Sequence, residues 1–390
     1  MQSVHQHITV DGQDMPIRGQ VAAGFEPVLD AFLQNFASGE EVGAGVCVWR
    51  DGVCVANLWG GYQDKAVSRP WTADTLVNGM SSTKPLAATC FHLLVDRGVA
   101  DYDDPIDRYW PEFAQNGKAG VPIRYILDHR LGLPLIPAAC WPNQLFDWDR
   151  FCAALAAEKP LWKPGTNAGY HVRTYGFLIG EVVRRIDGRT LGKFFRDEIA
   201  RPFGLDYYIG LPESEFDRCA EFIPETRGTI YDAAIDPESY LARASPAIDP
   251  EVFNSAAWRS AELPASNGHG SARALSLFYA ILANGGEIDG KRLLSRQTLA
   301  RATAVQHSIH ELVMDRTYQQ ALGFLRSSPP IVPMGPLATS FGHQGAGGAL
   351  GFADPVNRVG FGYLMNKMHA RRENGPRAGR LIDAVYRCLG

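Results

Sequence analysis

Strand signals lie at the two ends of this chain and are missing from its middle, a distribution that constrains the fold more than any other feature. Val46-Cys47-Val48-Trp49-Arg50 and Val53-Cys54-Val55-Ala56-Asn57 flank Asp51-Gly52, a pair suited to the positive-φ positions of a type I′ hairpin turn. Just before them, residues 25–37 space their apolar side chains as a helix does and stop at Ser38-Gly39. From about residue 99 the strand patterns vanish. Residues 174–186 and 190–200 read as helices, stopped by Asp187-Gly188 and by Pro202. The stretch 203–265 is irregular and rich in proline, and it holds Phe222, Tyr231, Tyr240, Phe253 and Trp258; loops this long in a compact protein tend to carry function.

After Ser271 the first pattern returns. An apolar helix over 271–283 ends at Asn284-Gly285-Gly286, Asp289-Gly290 turns, and Ser295 caps a short helix. Residues 348–354 and 358–367 form a second hairpin, followed by a helix over 376–389. The expected fold is therefore α+β: an antiparallel sheet flanked by helices, built from residues 1–98 and 266–390, with a mostly helical domain, 99–265, inserted between them.

Composition removes several function classes. A net charge of −4 without a basic run argues against nucleic acid as a partner. No stretch approaches the ~20 apolar residues of a membrane helix, and the N-terminal residues show no basic start followed by an apolar core; a cytoplasmic location without membrane attachment is expected. The seven cysteines are odd in number and lack a C-x-x-C pair, so they read as free, mostly buried thiols. Cys90 falls inside a helix and Cys47 and Cys54 inside strands, which makes them core residues. No metal is expected: His307 and His310 have helical spacing but no third ligand. Gly345-Ala346-Gly347-Gly348-Ala349-Leu350-Gly351 fails as a dinucleotide loop because Leu350 stands where the third glycine belongs. G-x-S-x-G, the nucleophile turn of α/β-hydrolases, is absent. No cofactor is expected.

The chemistry-bearing motif is Ser81-Ser82-Thr83-Lys84, at or just after the start of a helix whose apolar positions run through Leu86, Ala87, Cys90, Leu93 and Leu94. Residues three apart share a helix face, so the Lys84 amine reaches the Ser81 hydroxyl. The helix N-terminus adds free N–H groups and a positive dipole end. A nucleophilic serine needs both a proton acceptor and a positive site for the oxyanion it creates. Alone, the motif also fits a serine that merely caps a helix.

Two further segments extend it. Pro164-Gly165-Thr166-Asn167-Ala168-Gly169-Tyr170 leads into the helix over 174–186, and Phe341-Gly342-His343-Gln344-Gly345 precedes the last hairpin. With S-x-x-K, this ordered set resembles the serine β-lactamase and penicillin-binding-protein superfamily, and within it the class C β-lactamase-like, or family VIII, carboxylesterases. The segments 100–105, 127–134 and 284–286 agree, and the resemblance spans residues 20–390. It implies that Ser81 accepts the acyl group, that Lys84 and Tyr170 share the removal and return of its proton, and that His343-Gln344-Gly345 is the H-x-G form of the third motif. By the same resemblance Ala346 and Ser81 supply the oxyanion N–H groups. The small residues from Gly345 onward allow backbone to approach substrate. His343 contacts substrate or plays a structural part; both readings stand.

Two positions depart from the β-lactamase pattern. The tyrosine motif reads Tyr170-His171-Val172, without the asparagine that holds a substrate amide, and His343 replaces the lysine that helps bind a β-lactam carboxylate. The resemblance thus implies an esterase acting on small, uncharged, short-chain esters. The alternatives are β-lactam or D-amino-acid peptide hydrolysis, acyl transfer from the same acyl-enzyme, and a catalytically silent binding protein. Trp141, Phe146 and Trp148, with loop residues of 203–265, are candidates for the acyl pocket, or else cover the core of the helical domain.

Overall fold

A computed structural model of the chain describes residues 1–390 apart from 143, 226–229, 231, 233 and 371–373; Tyr231 therefore lies outside the described residues. Eight strands form one sheet: β1 (Gln2–Val10), β2 (Gln13–Val21), β3 (Gly43–Arg50), β4 (Val53–Gly61), β5 (Leu325–Arg326), β6 (Phe341–Gln344), β7 (Leu350–Asp354) and β8 (Val359–Met365). Their spatial order is β1-β2-β4-β3-β8-β7-β6-β5, every neighbouring pair antiparallel. The β3–β4 hairpin turns at Asp51 and Gly52, both at positive φ as type I′ geometry requires.

The N-terminal hairpin β1–β2 is an addition to the sequence reading. Asp11 and Gly12 make the same positive-φ turn as Asp51-Gly52. Within β1, however, Val4 is the one buried residue. A strand lying at a solvated sheet edge carries no apolar alternation to betray it.

Helices cover both faces. On β8, Gly360 and Gly362 point to one side, where a Cβ would come within 2.3 Å of Ala280 N and 2.6 Å of Ser276 N. The helix Ala272–Ala283 therefore lies directly on bare backbone, and Ser271 caps it by accepting from Ala274 N–H. Tyr363 alternates to the other face. There its hydroxyl meets the Glu41 carboxylate, which also pairs with Arg377 of the C-terminal helix Gly375–Leu389 at 2.7 Å. The helix Glu26–Ala37 packs beside that C-terminal helix. No helix among the described residues is long and apolar enough to cross a membrane.

Three local readings need correction. The helix beginning at Leu191 does not stop before Pro202. It widens into π-type turns over Arg196–Ala200, continues through Arg201–Phe203 and ends at Gly204 with positive φ; the irregular turns accommodate the missing proline N–H. His307 and His310 are not on a helix. His310 lies in a two-residue strand paired with Arg316–Thr317 and contacts Asp315, while His307 bonds the Asp128 carbonyl. Finally, Phe222, Phe253 and Trp258 are core residues, Phe253 packing edge-on to Trp258 at 4.9 Å, and Tyr240 is exposed.

Candidate active site

Ser81 sits in a 3₁₀ turn, Met80–Thr83, that runs into the helix Lys84–Asp96. Met80 holds positive φ, and its N–H donates to Asn78 Oδ1 at 2.9 Å. A left-handed non-glycine residue is strained, and such strain concentrates at functional turns. The neighbouring hydroxyls are consumed by the turn itself. Ser82 Oγ donates to the Gly79 carbonyl, and Thr83 Oγ1 donates to the Met80 carbonyl while accepting from Gly268 N–H. Of the three, Ser81 is the one that lines the cavity.

Lys84 is buried, with Nζ 3.2 Å from Ser81 Oγ, 2.9 Å from the Val172 carbonyl and 3.1 Å from the Ala265 carbonyl. A neutral amine has two N–H donors and one lone pair. Two carbonyls take the donors, which aims the lone pair at the Ser81 hydroxyl. Electrostatics favour that form: burial first, then the Arg173 charge, hold the Lys84 pKa well below its ordinary value. Val172, where the β-lactamase pattern has asparagine, thus contributes its backbone.

Tyr170 lies on a segment that is neither helix nor strand, with its ring 4.6 Å from Lys84 Nζ and its hydroxyl 3.4 Å from His343 Nε2. His343 Nδ1 is 2.6 Å from the Gln344 carbonyl. A carbonyl can only accept, so Nδ1 carries the proton and Nε2 presents a lone pair to Tyr170. Burial, followed by the Lys84 charge, lowers the His343 pKa to about 3. His343 is a neutral acceptor for the tyrosine hydroxyl. His129 packs 4.8 Å from the Tyr170 ring, and its Nδ1 accepts from His171 N–H.

The third motif closes the site from β6. A Cβ on Gly345 would meet the Gly79 carbonyl at 2.3 Å, so glycine here lets β6 end against the Ser81 turn. The Gly345 N–H is spent on the Ala349 carbonyl at 2.6 Å. Among the described residues, the N–H groups of Ser81 and Ala346 donate to no protein acceptor, and both residues border the cavity.

That cavity encloses about 550 Å³ including its open mouth, and Ile230, Met314, Tyr318, Leu325, Ile331 and Val332 make its wall apolar, with Arg316 at its border. The aromatic candidates from the sequence are elsewhere. Trp141 borders a separate hollow with Leu133 and Arg243, while Phe146 and Trp148 line another, where Trp148 Nε1 donates to Glu181. Of the nominated 203–265 loop, Ile230 is in the wall; most of the rest comes from residues 314–332, whose strands are two residues long and leave no periodic signal. Glu311 was also missed. Its carboxylate accepts the Tyr170 N–H at 2.7 Å, and the sequence offered it only as the neighbour of His310.

The sequence pattern of the Beta-lactamase family matches residues 28–385. The chain belongs to the beta-lactamase family. Within that family it is 33% identical over 378 residues to the protein named esterase/beta-lactamase LipL of Mycobacterium tuberculosis (strain ATCC 25618 / H37Rv), covering 93% of this chain and 87% of that protein. Two crystal structures superpose on this beta-lactamase-family fold with a TM-score of 0.89 and 40% identity, each over 95% of this chain and 99% of the other. One is described as a family VIII carboxylesterase, the other as a penicillin-binding protein homolog from Caulobacter crescentus.

Proposed function

We propose that this protein is a serine ester hydrolase that cleaves small, uncharged esters through an acyl-Ser81 intermediate. The observation that carries the reading is the Lys84 Nζ–Ser81 Oγ contact of 3.2 Å at an apolar cavity. Ser81 Oγ attacks the ester carbonyl carbon while its proton passes to neutral Lys84. The carbonyl oxygen becomes an oxyanion held by the N–H groups of Ser81 and Ala346. Collapse expels the alcohol, which takes a proton from the Tyr170 hydroxyl, and Lys84 returns a proton to the tyrosine. Water then attacks the acyl carbon with the same groups acting in reverse, and the carboxylic acid leaves. At rest the Tyr170 hydroxyl donates to His343 Nε2, and it turns from the histidine to the alcohol for this exchange.

Val172 and His343, in place of the amide- and carboxylate-holding residues of β-lactamases, support esters over β-lactams or D-amino-acid peptides. Two similar proteins named for esterase alone, esterase EstB of Burkholderia gladioli and the family VIII carboxylesterase, support the same choice, while LipL carries both names. We place the nucleophile and the third motif in a domain of residues 1–98 and 266–390, and Tyr170 in the inserted domain 99–265. A reducing cytoplasmic setting fits the seven free thiols.

The test is chemical. A fluorophosphonate, or p-nitrophenyl butyrate quenched in acid during turnover, is expected to leave its adduct on the peptide containing Ser81, read by mass spectrometry. An adduct on another residue, or none with either reagent, overturns the proposal. Acyl-chain selectivity should follow the wall. Ile331→Trp, which adds bulk to the cavity wall, is expected to lower the octanoate-to-butyrate ratio of kcat/KM by about tenfold or more, the scale on which apolar pockets discriminate chain length.

A further inference from the structure

Tyr170 has no secondary structure of its own to hold it. The residues on either side are tied to His129: Gly169 N–H donates to its carbonyl and His171 N–H to its Nδ1. The Tyr170 N–H instead donates to Glu311 Oε2 at 2.7 Å. The same oxygen accepts from Val313 N–H at 3.0 Å, and Oε1 accepts from Met314 N–H at 2.6 Å. Glu311 is 2% exposed and, among the described residues, no cationic side chain pairs with it. A buried carboxylate satisfied only by backbone donors is a costly choice for a loop, and such groups mark sites where geometry matters.

What this carboxylate joins is specific. Met314 forms part of the cavity wall, and Val313 packs in a small apolar cluster with Tyr170 and Val172, apart from the main core. One side chain therefore fixes the candidate proton carrier and the wall that would face the acyl group. The geometry points to Glu311 as the positioning residue of Tyr170: it sets the distance between the tyrosine hydroxyl and the Ser81–Lys84 pair, and so the rate of proton return. This rests on the acyl-serine reading above. Glu311 touches no reacting atom; it acts through the backbone of Tyr170.

A double-mutant cycle on the full chain tests it, with rates of p-nitrophenyl butyrate hydrolysis counted per site titrated by fluorophosphonate, so that misfolded molecules drop out. Glu311→Ala is expected to lower kcat per titrated site by roughly 30-fold or more, since an ångström of misplacement can cost about 10²-fold. Glu311→Gln keeps an oxygen for the Tyr170 and Val313 N–H groups but turns its NH2 on Met314 N–H, so it should lose rate, by several-fold less than Glu311→Ala. In a Tyr170→Phe background, Glu311→Ala should change the remaining rate by less than about twofold, because the two substitutions remove one function. If Glu311→Ala does not fold, Glu311→Asp, which withdraws the carboxylate by one methylene and keeps the charge, runs the same cycle with a smaller expected loss. A rate per site equal to the parent's, or an equal loss in the Tyr170→Phe background, overturns the inference. Failure of the titrant to label Ser81 would instead remove the acyl-serine reading beneath it, so the two failures are told apart.

Discussion

Ser81→Ala is expected to lower p-nitrophenyl butyrate turnover by roughly 10⁴- to 10⁶-fold, the scale seen when a serine nucleophile is removed from an acyl-transfer site. The local chemistry explains why no neighbour can stand in. Ser82 and Thr83 flank the position, but their hydroxyls donate to the Gly79 and Met80 carbonyls. The lost atom is a single oxygen at a partly exposed position, so fold and thermal stability should change little. What remains should be a slow background reaction with no acyl-enzyme burst. Equal turnover by parent and variant would sink the mechanism.

Lys84→Met should cost roughly 10³-fold or more in kcat/KM, because it keeps the length of the side chain and removes the proton acceptor. Lys84→Arg separates two explanations. A guanidinium keeps the positive charge but does not give up its proton in a protein. If Lys84 acts as a base, the arginine variant fails about as badly as methionine; if it acts only as a charge, arginine restores much of the rate. The pH profile supplies the sign. On the proposed mechanism the active form is the neutral amine, so kcat/KM should rise as pH rises through the Lys84 pKa. Burial and Arg173 place that pKa well below an ordinary lysine's, so the rise is complete before the pH range where free lysines titrate. Removing Lys84 should remove that limb. The Met variant also strands the buried Val172 and Ala265 carbonyls, at about 1–3 kcal/mol each, so rates belong well below its Tm.

How much of this was legible depended on how local each contact is. Ser81 and Lys84 lie three residues apart, and their meeting follows from helix geometry alone. The β3–β4 turn was legible because Asp51-Gly52 stands between two apolar strands. The identical chemistry at Asp11-Gly12 passed unnoticed because β1 is almost entirely solvated. Tyr170 and His343 could be singled out by the order of three motifs, yet nothing in the sequence placed the tyrosine hydroxyl against the histidine or chose its tautomer. For the cavity wall the sequence offered three aromatics, which lie elsewhere, and the 203–265 loop, which contributes Ile230. Trp141, Phe146 and Trp148 are conspicuous in a sequence, whereas Leu325, Ile331 and Val332 belong to short, irregular backbone that only tertiary packing organises.

The amine of Lys84 is held by carbonyls 88 and 181 residues away in sequence. In an unfolded chain it is an ordinary ammonium, and Ser81 is an unreactive alcohol. On the proposed mechanism, nucleophilicity is thus a conformational reporter: a covalent label on Ser81 would count molecules in which three distant stretches of chain have already come together. In a mixture of folded and misfolded protein, the labelled fraction measures assembly of the core around Lys84, something helix or strand content alone does not reveal.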